Sequence, residues 1–134
     1  GMVERKHGRI LLVSSVGAFQ PSPYYAVYCG TKAYVLFLGE ALDKELKGTG
    51  VTVTTLCPGV TVTEFHEVAE HKKSGMLEKI SMTAREVAEA GVNALWAKKT
   101  ICTPGFIYQF NNFLLRLTPR ALVVHFAEKM MKPS

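Results

Sequence analysis

The chain has 134 residues, 48% hydrophobic and 20% charged, with a net charge of +5, the mix of one ordinary globular domain. No apolar run approaches the ~20 residues of a membrane span, and the polar start (Gly1-Met2-Val3-Glu4-Arg5-Lys6) has no apolar stretch behind it to read as a signal peptide. The basic residues are dispersed, without a dense stripe or interleaved aromatics, so no nucleic-acid partner is expected.

Cys29, Cys57 and Cys102 are odd in number and widely spaced, which argues against a disulfide framework or a zinc knuckle and fits a reducing cytoplasm. His7, His66, His71 and His125 form no HxxxH or HExxH pattern, and no metal site is expected. Gly1 ahead of Met2 reads as a remnant of tag cleavage.

In chain order, Arg9 to Val13 is a short apolar run without alternation, the mark of a parallel strand buried on both faces. It stops at Ser14-Ser15. Gly17, Pro21 and Pro23 then mark a loop. The spacing of Ala33, Leu36, Phe37, Leu42 and Leu46 predicts a long helix over 25–47, with a lysine near its end and Gly48 beyond. Val51 to Leu56 is β-branched and strand-like, and it ends at the turn Cys57-Pro58-Gly59. Helices are expected over 64–71 and 84–98, the second opened by a capping box of Thr83 and Glu86. Ile101-Cys102 starts another short strand before Pro104-Gly105. Strand and helix alternating in this way is the grammar of an α/β fold with a parallel sheet.

Within YYAVYCGTKAY, residues 24–34, Tyr28 and Lys32 are four apart near the start of the long helix, so they share one face. An ammonium beside a phenol favours the phenolate and makes the tyrosine usable as an acid or base near neutrality. Ser15 lies thirteen residues before Tyr28, where a strand ends. In parallel α/β sheets the carboxyl ends of strands face the ligand crevice. A hydroxyl and a phenol meeting there suit a carbonyl oxygen, one polarising it and the other moving a proton.

The segment from Gly8 to Gly17 with Ser15, then Tyr28-Cys29-Gly30-Thr31-Lys32, then Cys57-Pro58-Gly59-Val60-Thr61-Val62-Thr63, resembles the C-terminal half of the short-chain dehydrogenase/reductase family. The resemblance implies a partial Rossmann-type, doubly wound parallel sheet of about three strands over residues 1–105. It implies a reductase that moves hydride between NAD or NADP and a carbonyl carbon. By it Tyr28 is the general acid/base, Ser15 orients the carbonyl, and Lys32 assists Tyr28 and binds the nicotinamide ribose. Pro58, Gly59, Val60 and Thr63 belong to the loop that meets the cofactor. Tyr24, Tyr25 and Tyr34 have no lysine four residues on and are expected to pack in the core or at an interface. Ser14, one residue out of register, is expected to be structural.

The family's glycine-rich pyrophosphate turn has no counterpart, since neither GxxxGxG nor GxGxxG occurs. The isolated chain is therefore expected to be inactive, and the first strand to present an open edge. A homodimer or homo-oligomer through the 25–47 helix and the edge of strand 10–14 is the expected assembly. Residues 106–134 form an apolar and basic tail, expected to be helical and broken at Pro119. It reads first as a helix packed on the sheet or on a partner, ahead of an amphipathic lid or a membrane-surface element. As an amphipathic lid it would make the substrate a lipophilic carbonyl compound.

Overall fold

The computed structural model describes residues 1–62 and 81–132. Three parallel strands form the sheet: β1 (Gly8–Val13), β2 (Val51–Leu56) and β5 (Ile101–Cys102), in the order β1-β2-β5. β1 pairs with β2 from Gly8↔Val51 to Val13↔Leu56, and β2 pairs with β5 through Thr55↔Ile101 and Leu56↔Cys102. A second, two-stranded parallel sheet joins β3 (Thr61–Val62) to β4 (Met82–Thr83). The helices are α1 (Ala26–Glu45), α2 (Ala84–Trp96), α3 (Phe106–Leu117) and α4 (Arg120–Met131).

β2 is the central strand, and its Val51 and Val53 to Leu56 are buried. Consecutive strand residues point to opposite faces. Thr55 meets α1 at Gly39, where a side chain would strike the threonine hydroxyl, and Leu56 meets α2 at Gly91. The two helices therefore cover opposite faces, giving three layers. β1, expected to be buried on both faces, is an edge strand with Arg9 to Leu12 half-buried and Val13 exposed. Among the described residues it has a strand neighbour on one side only.

β5 is too short to pair with all of β2. Thr55 N–H and Cys57 N–H reach Thr100 O and Cys102 O, at 2.8 and 2.7 Å. Val53 N–H points the same way and donates instead to Asp43 Oδ1 at 3.1 Å, while Thr100 Oγ1 donates to Asp43 Oδ2 at 2.7 Å. An α1 carboxylate thus continues the ladder where β5 has not begun.

α1 falls within the expected 25–47 and carries Lys44 in its last turn, with Gly48 and Gly50 at φ +87° and +82° beyond it. α2 opens with the expected capping box: Glu86 N–H donates to Thr83 Oγ1 at 3.2 Å, and Thr83 N–H to Glu86 Oε2 at 2.8 Å. The helix expected over 64–71 lies outside the described residues. The tail is two helices meeting at Thr118-Pro119, but little of it packs: α3 buries Tyr108, and α4 buries Val123 and Ala127. Tyr24, Tyr25 and Tyr34 are exposed, so the core packing expected of them does not occur; they lie in the loop before α1 and on its outer face.

Candidate active site

β1 delivers its chain to Ser14 and Ser15 at the carboxyl end of the sheet. Ser15 is extended and buried, and its Oγ caps a 3-10 turn (Val16–Phe19) by accepting Gly17 N–H at 3.1 Å. Val16 N–H donates to Pro58 O at 2.9 Å, which ties this turn to the loop after β2. Ser14 is structural: its N–H donates to Leu56 O and its Oγ to Lys32 O, both at 2.7 Å. Those bonds hold α1 against the ends of β1 and β2.

The side chains of Ser15 and Tyr28 come together beside Gly17. A Cβ there would lie 3.5 Å from both Ser15 Oγ and Tyr28 Cε1, and 3.3 Å from Cys29 Sγ. The hydroxyl from the strand end and the phenol from the first turn of α1 thus border one spot. Lys32, one turn on, has its Nζ 5.9 Å from the centroid of the Tyr28 ring and donates to Val13 O at 3.2 Å. The ammonium is thus near the phenol ring and tied to the strand end. Tyr28 is 49% exposed and so open to solvent.

The Pro58-Gly59-Val60 loop is differently placed. Val60 N–H donates to Tyr108 Oη at 3.0 Å, and Val60 O accepts from Met82 N–H at 3.0 Å. A side chain on Gly59 would run into the Tyr108 ring, which is 8% exposed. Both backbone groups of Val60 are therefore satisfied within the chain. The Tyr28–Lys32 side is open, whereas the Val60 N–H and C=O are taken by Tyr108 and Met82. Thr63 lies outside the described residues.

Below the loop, Cys57 is fully buried, and burial pushes its thiol up to about 11. Cys102 is raised for the same reason. Cys57 is protonated near neutrality and is no nucleophile. Among the described residues no group of three or more His, Cys, Asp or Glu gathers to hold a metal ion.

Two long-range contacts escape sequence reasoning. Tyr108 reaches Val60 across 48 residues, and Asp43 reaches Thr100 across 57. The one available signal is local: a tyrosine in the first turn after Pro104-Gly105, and an acid one helical turn before Lys47. Neither names its partner.

The chain matches the family model described as short chain dehydrogenase over residues 1–74, more than half of its 134 residues. An uncharacterized oxidoreductase of Staphylococcus epidermidis is 35% identical over 94 residues, covering 70% of this chain and 39% of that protein. The NADP-dependent 3-hydroxy acid dehydrogenase of Escherichia coli is 38% identical over 96 residues, covering 67% and 39%. The chain thus spans about two fifths of the length of the curated relatives it matches, 39% in both cases. A solved structure of a 7beta-hydroxysteroid dehydrogenase superposes with a TM-score of 0.78 at 23% identity, over 94% of this chain and 49% of that one. That likeness speaks for the fold: a Rossmann-type parallel sheet between helices. The family match and the fold agree, and this chain belongs to the short-chain dehydrogenase family.

Proposed function

We propose that this chain carries the proton-transfer site of a nicotinamide-dependent carbonyl reductase or alcohol dehydrogenase. The observation behind this reading is the meeting of Ser15 Oγ and the Tyr28 ring at Gly17, with the Lys32 ammonium 5.9 Å from that ring. In reduction, Tyr28 Oη gives its proton to the carbonyl oxygen; in oxidation it takes the proton back. Lys32 stabilises the phenolate left behind, and the Ser15 hydroxyl orients the carbonyl. NAD or NADP, when bound, supplies or receives the hydride. Lys32 is also the residue assigned to the nicotinamide ribose, with Pro58, Gly59, Val60 and Thr63 forming the adjoining loop. The NADP dependence of the Escherichia coli relative favours NADP.

With no GxxxGxG turn in its sequence, we expect this chain alone to bind neither cofactor and to be inactive. A second reading, an inactive module that dimerises, is favoured by the exposure of Val27, Tyr34, Phe37 and Leu38 along α1 and by the edge position of β1. Titration of the purified chain with NADPH and NADH, followed by nucleotide fluorescence, tests whether the chain alone holds a working site. No binding at millimolar cofactor is the expected result, and it makes the isolated chain an inactive module. Micromolar binding that weakens in Lys32→Ala but survives in Tyr28→Phe supports a working site; binding indifferent to Lys32→Ala sinks the ribose assignment.

A further inference from the structure

We propose that the two tail helices, α3 and α4, form an interfacial element that docks on an anionic lipid bilayer surface. Both helices are amphipathic with the apolar side turned outward. On α3, Phe106, Phe110, Phe113 and Leu117 follow one another at spacings of four, three and four and share a face. All four are exposed, Phe106 at 80%, while Tyr108 on the other side is buried. On α4, Leu122, Phe126 and Met130 repeat the pattern at spacings of four, with Met130 79% exposed and Val123 and Ala127 buried. An outward stripe of this size is uncommon on a surface facing only water.

Charge selects the occupant. Residues 106–132 carry four cations, Arg116, Arg120, Lys129 and Lys132, against one acid, Glu128. Helical rotation puts Lys129 beside the α4 stripe and Glu128 on the far face. Arg116 stands at the flank of the α3 stripe, whereas Arg120 turns to the inner side of α4; both line a cavity of about 580 Å³ with Phe19, Leu36 and Phe37. A second copy laid on this face would bring the same cations against it. A surface of anionic headgroups complements it, with Phe and Leu entering the acyl boundary and Lys and Arg meeting phosphate. Among the described residues no helix is long and apolar enough to cross a membrane, so the element lies on the bilayer. α3 also follows β5, at the sheet edge opposite the open edge of β1.

Flotation of the whole chain with two vesicle types, phosphatidylcholine alone and phosphatidylcholine mixed with phosphatidylglycerol, tests this. The chain should float with the anionic vesicles and at least about 10-fold less with the neutral ones. Phe110→Ser with Phe113→Ser and Leu117→Ser should lower partitioning by about 100-fold or more. Arg116→Gln with Lys129→Gln and Lys132→Gln should lower it by about 100-fold. Because all six side chains are exposed, circular dichroism melts should stay unchanged, and either triple variant suffices if the other misfolds. The proposal is overturned if the chain ignores anionic vesicles. It is equally overturned if neutral vesicles bind as well and the glutamine variant binds unchanged. A third result also removes it: sedimentation velocity shows a dimer that the serine variant splits, with no vesicle binding, which would make a second copy the occupant.

Discussion

α1 and α3 are both rich in apolar residues and both follow the carboxyl end of a strand, yet they meet water in opposite ways. α1 lies along β1 and β2, pinned by Ser14 to Lys32 O and brought close by Gly39, and it buries Leu36 to 2% exposure. α3 leaves a two-residue strand at the edge of the sheet, where the 3-10 turn and the Pro58–Val60 loop are what it meets. It spends Tyr108 on that contact and leaves its phenylalanines outside. Periodicity defines an apolar face; the layer a helix occupies decides whether the face finds a core.

The largest effect should come from trading one helix against the other. Leu36→Ala should cost about 3 kcal/mol of unfolding free energy by opening a cavity in the core. Phe110→Ala in lipid-free buffer should stay within about 0.5 kcal/mol. Urea unfolding measures both, and comparable losses would mean that α3 is packed rather than outward-facing. A smaller effect tests what holds α1 to the sheet. Asp43→Ala should cost about 2 kcal/mol, because Val53 N–H and Thr100 Oγ1 lose a charged acceptor. Hydrogen exchange should show the Val53 amide released, and an unchanged rate there would break the account of Asp43 as a strand substitute.

The smallest effect belongs to α2. Hydrogen bonds from Thr83 backbone and side chain hold the Glu86 carboxyl below the ordinary glutamate value. A depressed folded value contributes stability that is complete above the unfolded value and is lost as pH falls toward the folded one. Thermal melts of the native chain should therefore decline through that acidic window more than those of Glu86→Ala. Parallel pH curves would show that the box adds nothing at this exposed site.

The parts of the molecule legible in the sequence are those whose cause is local. The β-branched run Val51–Leu56, the Thr83–Glu86 box and the glycines after α1 each carry their own signal. The Tyr28–Lys32 pair was legible because helical geometry alone puts residues four apart on one face. The meeting of Ser15 and Tyr28 was argued from the end of a parallel strand, and in three dimensions the two side chains approach each other beside Gly17.

By itself the sequence determined the strands β1, β2 and β5, the helices α1 and α2 and the α/β class, because propensity, capping and turn chemistry act over a few residues; the short β3 and β4 carried no such signal. Only the tertiary structure decided that β1 is an edge strand, that Asp43 completes the β2 ladder, that Tyr108 takes the Val60 N–H, and that the tail turns its aromatics outward. Each of those is a meeting of segments far apart in the chain, set by which surfaces remain to be covered once the layers have packed.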